Sequence, residues 1–134
     1  MKVKLLRFKS VKSTNDIALS LIQKNFLRPT MIISEIQTRG RGTMRKKWIS
    51  QKGNLFISIF FEINQKNLNF KNFAILNAYI LKSVLSKQFS KKFKIKWPND
   101  LLHSKKKLCG ILQEVVNYKD KQFLIVGMGI NTNF

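Results

Sequence analysis

The C-terminal third of the sequence contains four strand-like segments separated only by short turns, and this arrangement limits the possible folds more than any other feature. The segments are predicted at Phe93–Trp97, directly after Asp100, at Leu108–Val116 and at Phe123–Ile130. Strands joined by tight turns pair antiparallel, whereas parallel neighbours need a long crossover. The sequence therefore argues against a doubly wound parallel sheet.

The remaining residues add two helices and three strands, with no internal repeat or linker to suggest a domain boundary. The predicted elements are strands at Lys2–Phe8, Met31–Ile36 and Leu55–Phe61, a helix that begins at Ser13–Asp16, and a helix from about Lys71 to Lys87. Phe73, Leu76, Ile80 and Val84 mark the apolar face of the second helix. The order β-α-β-loop-β-α-β-β-β-β predicts an α+β fold, with a mixed, largely antiparallel sheet and helices packed on it.

Composition narrows the functional classes. The 134 residues include 26 Lys plus Arg against 6 Asp plus Glu, a formal charge of +20. The single Cys, Cys109, and the single His, His103, exclude a disulfide framework and a multi-Cys or polyhistidine metal centre, and both are predicted to be structural. The N-terminus lacks the features of a signal peptide, and no apolar run is long enough to cross a bilayer. We expect a cytoplasmic protein, without a membrane partner, that handles anions.

A basic, glycine-containing segment from Gln37 to Trp48 lies between two predicted strands. Gly40 and Gly42 allow backbone N–H groups to approach a ligand, and the intervening Arg41 offers a planar fork for phosphate or carboxylate. An anion clamp and a mobile loop that touches nucleic acid fit this segment about equally well. The segment is not a P-loop, because the Gly-Lys-Ser/Thr ending is missing.

Three further clusters have both a structural and a functional interpretation. Ser13-Thr14-Asn15 is expected to cap a helix, with Asp16 closing a capping box, but it could also bind a small amide-like ligand. In Lys96–Asp100, spacing alone favours a turn, although Asn99 and Asp100 could offer oxygen ligands to Mg²⁺. Gly127–Asn131 suggests close backbone approach by a ligand, or a bulge.

In order and spacing, these segments resemble the motif series of biotin protein ligases, the biotin–[acetyl-CoA-carboxylase] ligases. The matching motifs are Ser13-Thr-Asn15, Gln37-Thr-x-Gly-Arg-Gly42, Trp48, Lys96-Trp-Pro-Asn-Asp-Leu101, Lys107-Leu-x-Gly-Ile-Leu112 and Gly127-x-Gly-Ile-Asn131. The resemblance implies a catalytic fold of the biotin/lipoate ligase type, related to class II aminoacyl-tRNA synthetases. It implies that residues 1–134 form such a domain, truncated at its C-terminus, without an N-terminal helix-turn-helix or a C-terminal β-barrel.

The resemblance also implies a two-step reaction: biotin and ATP give biotinyl-5′-adenylate, and a lysine of a biotin carboxyl carrier protein then accepts the biotinyl group. Lys107 and Arg41 are the implied catalytic residues. The implied biotin contacts are Ser13, Thr14, Asn15, Gln37, Arg41, Gly42, Thr43, Lys107 and Gly110. The implied ATP contacts are Gly40, Lys96, Asn99 and Asn131, with Asp100 towards Mg²⁺.

Two loop positions depart from the family pattern. Thr43 replaces an arginine associated with retaining the adenylate, and Arg45 replaces a glycine that needs a left-handed backbone. The alternatives are a lipoate–protein ligase of the same fold and a basic nucleic-acid-binding module. The polar trio favours a ureido ligand over a dithiolane. Because most Phe residues occupy core-periodic positions rather than alternating with exposed cations, the sequence argues against a nucleic-acid partner.

Overall fold

The computed structural model describes residues 2–64 and 69–132, and within these residues seven strands form one sheet. The elements are β1 (Lys4–Val11), α1 (Thr14–Gln23), β2 (Thr30–Gln37), β3 (Leu55–Glu62), α2 (Phe70–Phe89), β4 (Lys94–Lys96), β5 (Asp100–His103), β6 (Lys106–Tyr118) and β7 (Lys121–Ile130). Their order in the sheet is β1-β2-β3-β7-β6-β5-β4. Only β1 and β2 pair in parallel, and the other neighbours are antiparallel. The predicted α+β class and element order are confirmed.

The two helices pack on opposite faces of the sheet. Side chains alternate along β7, so Phe123 and Ile125 lie in one core with α1, whereas Leu124 and Val126 lie in another with α2. Both cores contain fully buried side chains. We call the two faces of the sheet the α1 face and the α2 face, after the helix that packs on each. The polar site described below lies on the α1 face.

The predicted packing face of α2 was wrong except at Phe73. The helix meets the core through the arc of Phe73, Ala78, Leu81 and Leu85. Leu76, Ile80 and Val84 lie on the neighbouring arc and are about half exposed. Apolar residues surround this helix almost completely, so periodicity alone could not identify the arc that faces the sheet.

Two strand boundaries also differ from the predictions. β1 begins and ends later than Lys2–Phe8, because its parallel pairing with β2 continues to Val11 opposite Gln37. β4 is shorter than predicted and pairs only with β5. Among the described residues, no helix combines the length and apolar character needed to span a bilayer.

Candidate active site

A pocket on the α1 face collects most of the residues singled out from sequence. Those that line it are Ser13, Thr14, Asn15, Gln37, Arg41, Gly42, Thr43, Asn99, Asp100, Lys107 and Gly110. Arg41 and Lys107 are 66 positions apart in the chain, and the fold brings both to the same cavity. Cations from two segments therefore share a pocket with a neutral polar trio.

The polar trio is held in place by the start of α1. Ser13 caps the helix, because its hydroxyl accepts a hydrogen bond from the Asp16 backbone N–H at 3.3 Å. The side-chain oxygen of Gln37 accepts from both the backbone N–H of Thr14, at 2.8 Å, and the Thr14 hydroxyl, at 3.1 Å. All three trio residues are buried. The capping prediction is confirmed, and the same residues line the pocket.

Ser58 is a polar residue at the centre of β3 and completes this cluster. Its buried hydroxyl lies 2.5 Å from the side-chain oxygen of Asn15 and 2.7 Å from the hydroxyl of Thr14. A buried hydroxyl on a strand is stable only when it has such partners. Ser58 thus ties the sheet to the start of α1.

Arg41 bridges the loop to two other elements. One guanidinium nitrogen lies 2.8 Å from a carboxylate oxygen of Asp16, in α1, and 2.8 Å from one of Glu114, in β6. The second guanidinium nitrogen donates to the other Glu114 oxygen at 3.2 Å. A β-bridge between Arg41 and Lys47 closes the loop on itself. The capping-box expectation for Asp16 is thus modified, because its carboxylate faces Arg41.

The loop contains a tight turn at Thr43–Arg45. Met44 and Arg45 have φ values of 56° and 60°, in the left-handed region that favours glycine. The left-handed backbone expected at position 45 is therefore present, although the residue is arginine.

The Trp48 side chain lines the pocket and packs against two glycines of the sheet. Gly110 and Gly129 are directly opposite each other on β6 and β7. A β-carbon at either position would lie 2.5–2.6 Å from the indole ring. The Lys107 ammonium is 4.9 Å from the ring centroid, a cation–π distance. The close approach expected along Gly127–Asn131 is made here by the protein's own side chains, since Asn15 occupies the equivalent space at Gly127.

Lys107 lies between this pocket and a second, shallower one. Its ammonium is 3.3 Å from an Asp100 carboxylate oxygen. The second pocket is reached across Trp48 and contains Asn131, whose side-chain amide donates to the Lys107 carbonyl at 3.0 Å. Lys107 therefore borders both spaces.

Three of the four predicted ATP-binding residues lie outside the main pocket. The fourth, Asn99, lines the pocket, but its side chain makes a hydrogen bond within the protein. Lys96 is exposed on β4, Asn131 lies in the second pocket, and Gly40 is a buried residue at the start of the loop. The Asn99 side chain donates to the Ile111 carbonyl at 2.7 Å, which supports its interpretation as a turn residue.

Among the residues that the structure describes, three ionisable side chains have shifted pKa values. The hydrogen bond to Glu114 is the main reason that the pKa of Arg41 is raised. Partial burial raises the pKa of Glu114, but hydrogen bonds from Arg41 and Asn15 and the Arg41 charge outweigh it, and the pKa falls below its ordinary value. Burial raises the pKa of Cys109 to about 12, so its thiol stays protonated at neutral pH. Cys109 is a core residue, as expected.

Sequence reasoning missed Glu114 and Ser58, and it assigned no role to Trp48. Ser58 carries a local signal, because it is the polar residue in the apolar run Leu55–Phe61. Glu114 has none, because its Arg41 partner is 73 residues away.

Comparison with known proteins decides the family. The model of the Biotin/lipoate A/B protein ligase family matches residues 7–131. The chain belongs to this family. Among curated members, it is 32% identical over 125 residues to the bifunctional ligase/repressor BirA of Bacillus subtilis, covering 92% of this chain and 38% of that protein. It is 36% identical over 101 residues to BirA of Escherichia coli, covering 74% of this chain and 32% of that protein.

Solved structures of family members have the same fold. The biotin protein ligase from Aquifex aeolicus in complex with biotin and ATP matches with a TM-score of 0.79 and 36% identity, over 98% of this chain and 53% of that one. The Helicobacter pylori biotin acetyl coenzyme A carboxylase synthetase, with bound biotinylated ATP, matches with a TM-score of 0.83 and 28% identity, over 97% and 61%. The chain thus spans between about a third and three-fifths of these relatives' lengths.

Proposed function

We propose that this chain activates biotin with ATP to form biotinyl-5′-adenylate and transfers the biotinyl group to a lysine of a biotin carboxyl carrier protein. The observation that carries the proposal is the shared pocket, which is lined both by buried neutral polar side chains and by the cationic Lys107. This distribution suits a ligand with an amide-like head and an acid tail. The biotin and ATP in the Aquifex aeolicus structure support the same pair of substrates here.

The head of biotin is a cyclic urea, with a carbonyl acceptor and two N–H donors. Ser13, Thr14, Asn15 and Gln37 together supply hydroxyl and amide groups that can both donate and accept. Ser13, Thr14 and Asn15 are buried and Gln37 is partly buried, and low exposure strengthens a hydrogen bond to a ligand because water competes less for the same groups. We assign these four side chains to the ureido group.

Lys107 is assigned to the acid end. In the first step, a carboxylate oxygen of biotin forms a bond to the α-phosphorus of ATP, the bond from that phosphorus to the pyrophosphate oxygen breaks, and pyrophosphate leaves with the electron pair. Two anions must meet for this bond to form, so a cation between the two pockets stabilises the transition state. Placing both reactants in line removes much of the entropic barrier. No side chain needs to act as a nucleophile.

The remaining assignments concern the loop and the nucleotide. Gly42 and Thr43 would cover biotin from the loop, and Gly110 would offer a backbone contact. Asn131 in the second pocket would approach adenine, with Gly40, Lys96 and Asn99 towards the phosphates. Thr43, where the family has an arginine, would hold the adenylate less firmly.

Mg²⁺ fits this site only with the help of substrate. The described residues contain no cluster of three or more His, Cys, Asp or Glu side chains able to hold a metal ion. Asp100 supplies one carboxylate beside Lys107, and Mg²⁺ is often held by one or two carboxylates plus phosphates. The ion would neutralise phosphate charge during adenylation.

In the second step, the neutral amine of the acceptor lysine attacks the acyl carbon of the adenylate. An amide bond forms, AMP leaves with the electron pair of the broken acyl–oxygen bond, and the amine proton passes to solvent. The carrier protein is the partner that this step requires.

Calorimetric titration tests the proposal. We expect wild-type protein to bind biotin and not lipoate. Biotin-dependent exchange of pyrophosphate into ATP should be lost in Lys107→Ala, because the cation between the two pockets is removed, while the circular dichroism spectrum is retained. Lys106→Ala, which removes the adjacent exposed lysine, is the matched control and should keep the exchange. Tight, salt-sensitive RNA binding with no response to biotin would contradict the proposal in favour of a nucleic-acid-binding module.

A further inference from the structure

Glu114 joins two parts of the pocket that are distant in sequence. Its Oε1 accepts a hydrogen bond from the Asn15 side-chain amide at 2.9 Å and another from Arg41 at 2.8 Å. Its Oε2 accepts the second guanidinium N–H of Arg41 at 3.2 Å. One carboxylate thus contacts both the loop and the polar trio.

This contact also fixes the orientation of Asn15. An ionised carboxylate only accepts hydrogen bonds, so the Asn15 NH₂ must point towards Glu114. The Asn15 oxygen then points the other way, to the hydroxyl of Ser58. The Asn15 NH₂ also donates to the Leu112 backbone carbonyl at 3.4 Å, so Glu114, at 2.9 Å and charged, is the stronger of the two acceptors that hold this orientation.

The charges around Arg41 indicate a positioning role. The guanidinium faces both Asp16 and Glu114, so the three groups together carry a net charge of −1. Such a cluster adds no positive potential for an incoming acid or phosphate. Within the described part of the chain, Lys107 has its ion pair with Asp100, and the two together are neutral. In this state Arg41 therefore holds the loop to α1 and β6.

We propose that Glu114 is a positioning residue that keeps the Gly40–Trp48 loop closed through Arg41 and, with the same carboxylate, orients Asn15 for its ligand. The ligand part of this inference rests on the proposed function, because the ligand at Asn15 is taken to be biotin. The loop part does not depend on it.

Limited trypsin digestion measures the loop directly, because Arg45, Lys46 and Lys47 are exposed cleavage sites within it. In ligand-free protein, we expect Glu114→Gln to raise the initial cleavage rate after these residues by about tenfold, since a doubly hydrogen-bonded ion pair is lost. Glu62→Gln is the matched control: it removes a carboxylate from the Glu62–Lys121 pair and should leave the rate unchanged. A wild-type cleavage rate in Glu114→Gln overturns the proposal.

A double mutant separates positioning from a general loss of packing. Once Arg41→Ala has opened the loop, adding Glu114→Gln should change cleavage after Lys46 and Lys47 less than twofold. Additive effects would overturn the coupling. If Glu114→Gln fails to fold, Arg41→Lys tests the same contact from the partly exposed side, because lysine keeps the charge without the fork. Faster cleavage is expected, and a wild-type rate overturns the proposal.

Biotin titration tests the orientation of Asn15. We expect the dissociation constant to rise at least tenfold in Glu114→Gln, and an unchanged constant overturns this half of the inference. If wild-type protein itself binds no biotin, the proposed function fails, and the cleavage rates still decide whether Glu114 holds the loop.

Discussion

Arg45 occupies a backbone conformation that disfavours any residue with a β-carbon. Its φ of 60° follows a φ of 56° at Met44, so two consecutive residues are left-handed in one loop. Each non-glycine residue in this region costs about 1–2 kcal/mol. The bridge between Arg41 and Lys47 and the ion pairs of Arg41 hold the loop despite this cost.

Replacing Arg45 by glycine should therefore stabilise the protein. We expect Arg45→Gly to raise the free energy of unfolding by about 1 kcal/mol, because glycine adopts positive φ without steric penalty. Urea denaturation measures the change. Arg39→Gly is the control, since Arg39 directly precedes the loop, has no positive φ and should give no gain. A lower stability for Arg45→Gly than for Arg39→Gly would contradict the argument.

At the scale of elements, α2 has two apolar sides and only one of them meets the sheet. Leu81 packs against the core, whereas Leu76, five positions earlier, is 50% exposed. Both are leucines inside the same helix, so replacing either one by alanine changes helix propensity equally. A difference in stability between the two variants then reports their difference in burial. This pair tests whether the observed arc is the one that stabilises the fold.

Leu81→Ala should lower the free energy of unfolding by about 2 kcal/mol, because it removes packed methyl groups and leaves a cavity. Leu76→Ala should change it by less than about 0.5 kcal/mol. The two variants would be compared by urea denaturation of the 134-residue chain. Equal losses would mean that the Leu76 side of α2 is also covered.

Much of the fold could be predicted because its strands are short apolar runs bounded by turn residues. All seven strands and both α-helices of the described residues were predicted from such runs and from the Ser13 cap. Wherever both ends of an element were predicted, they lie within a few residues of the observed ones. The packing arc of α2 could not be predicted, because apolar residues lie on more than one side of the helix and only the tertiary structure decides which side packs on the sheet. The trio, the loop and Lys107 carry recognisable motifs. Glu114 does not, because its role exists only after Arg41 has folded against it.

At the scale of the whole molecule, electrostatic repulsion between cations destabilises the folded state. Four of the six acids, Asp16, Glu62, Asp100 and Glu114, are engaged in ion pairs. The net charge of +20 nevertheless leaves most cations without an opposite charge nearby. Like charges held together by folding destabilise the compact state.

Salt should therefore stabilise this protein. Raising NaCl from about 0.1 M to about 1 M shortens the Debye length from about 10 Å to about 3 Å, which screens the repulsion between exposed cations. We expect the melting temperature to rise by about 4 °C, measured by differential scanning calorimetry. A fall would mean that the few ion pairs, which salt weakens, contribute more than the repulsion costs.

The stacking of Trp48 on Gly110 and Gly129 has an evolutionary consequence. The two glycines are cross-strand neighbours beneath a single ring, so a methyl group at either one would displace the indole. The displaced ring would in turn leave the Lys107 ammonium without its aromatic partner. Positions 48, 110 and 129 are thus expected to covary among homologues. A side chain larger than glycine at position 110 or 129 requires a residue smaller than tryptophan at position 48.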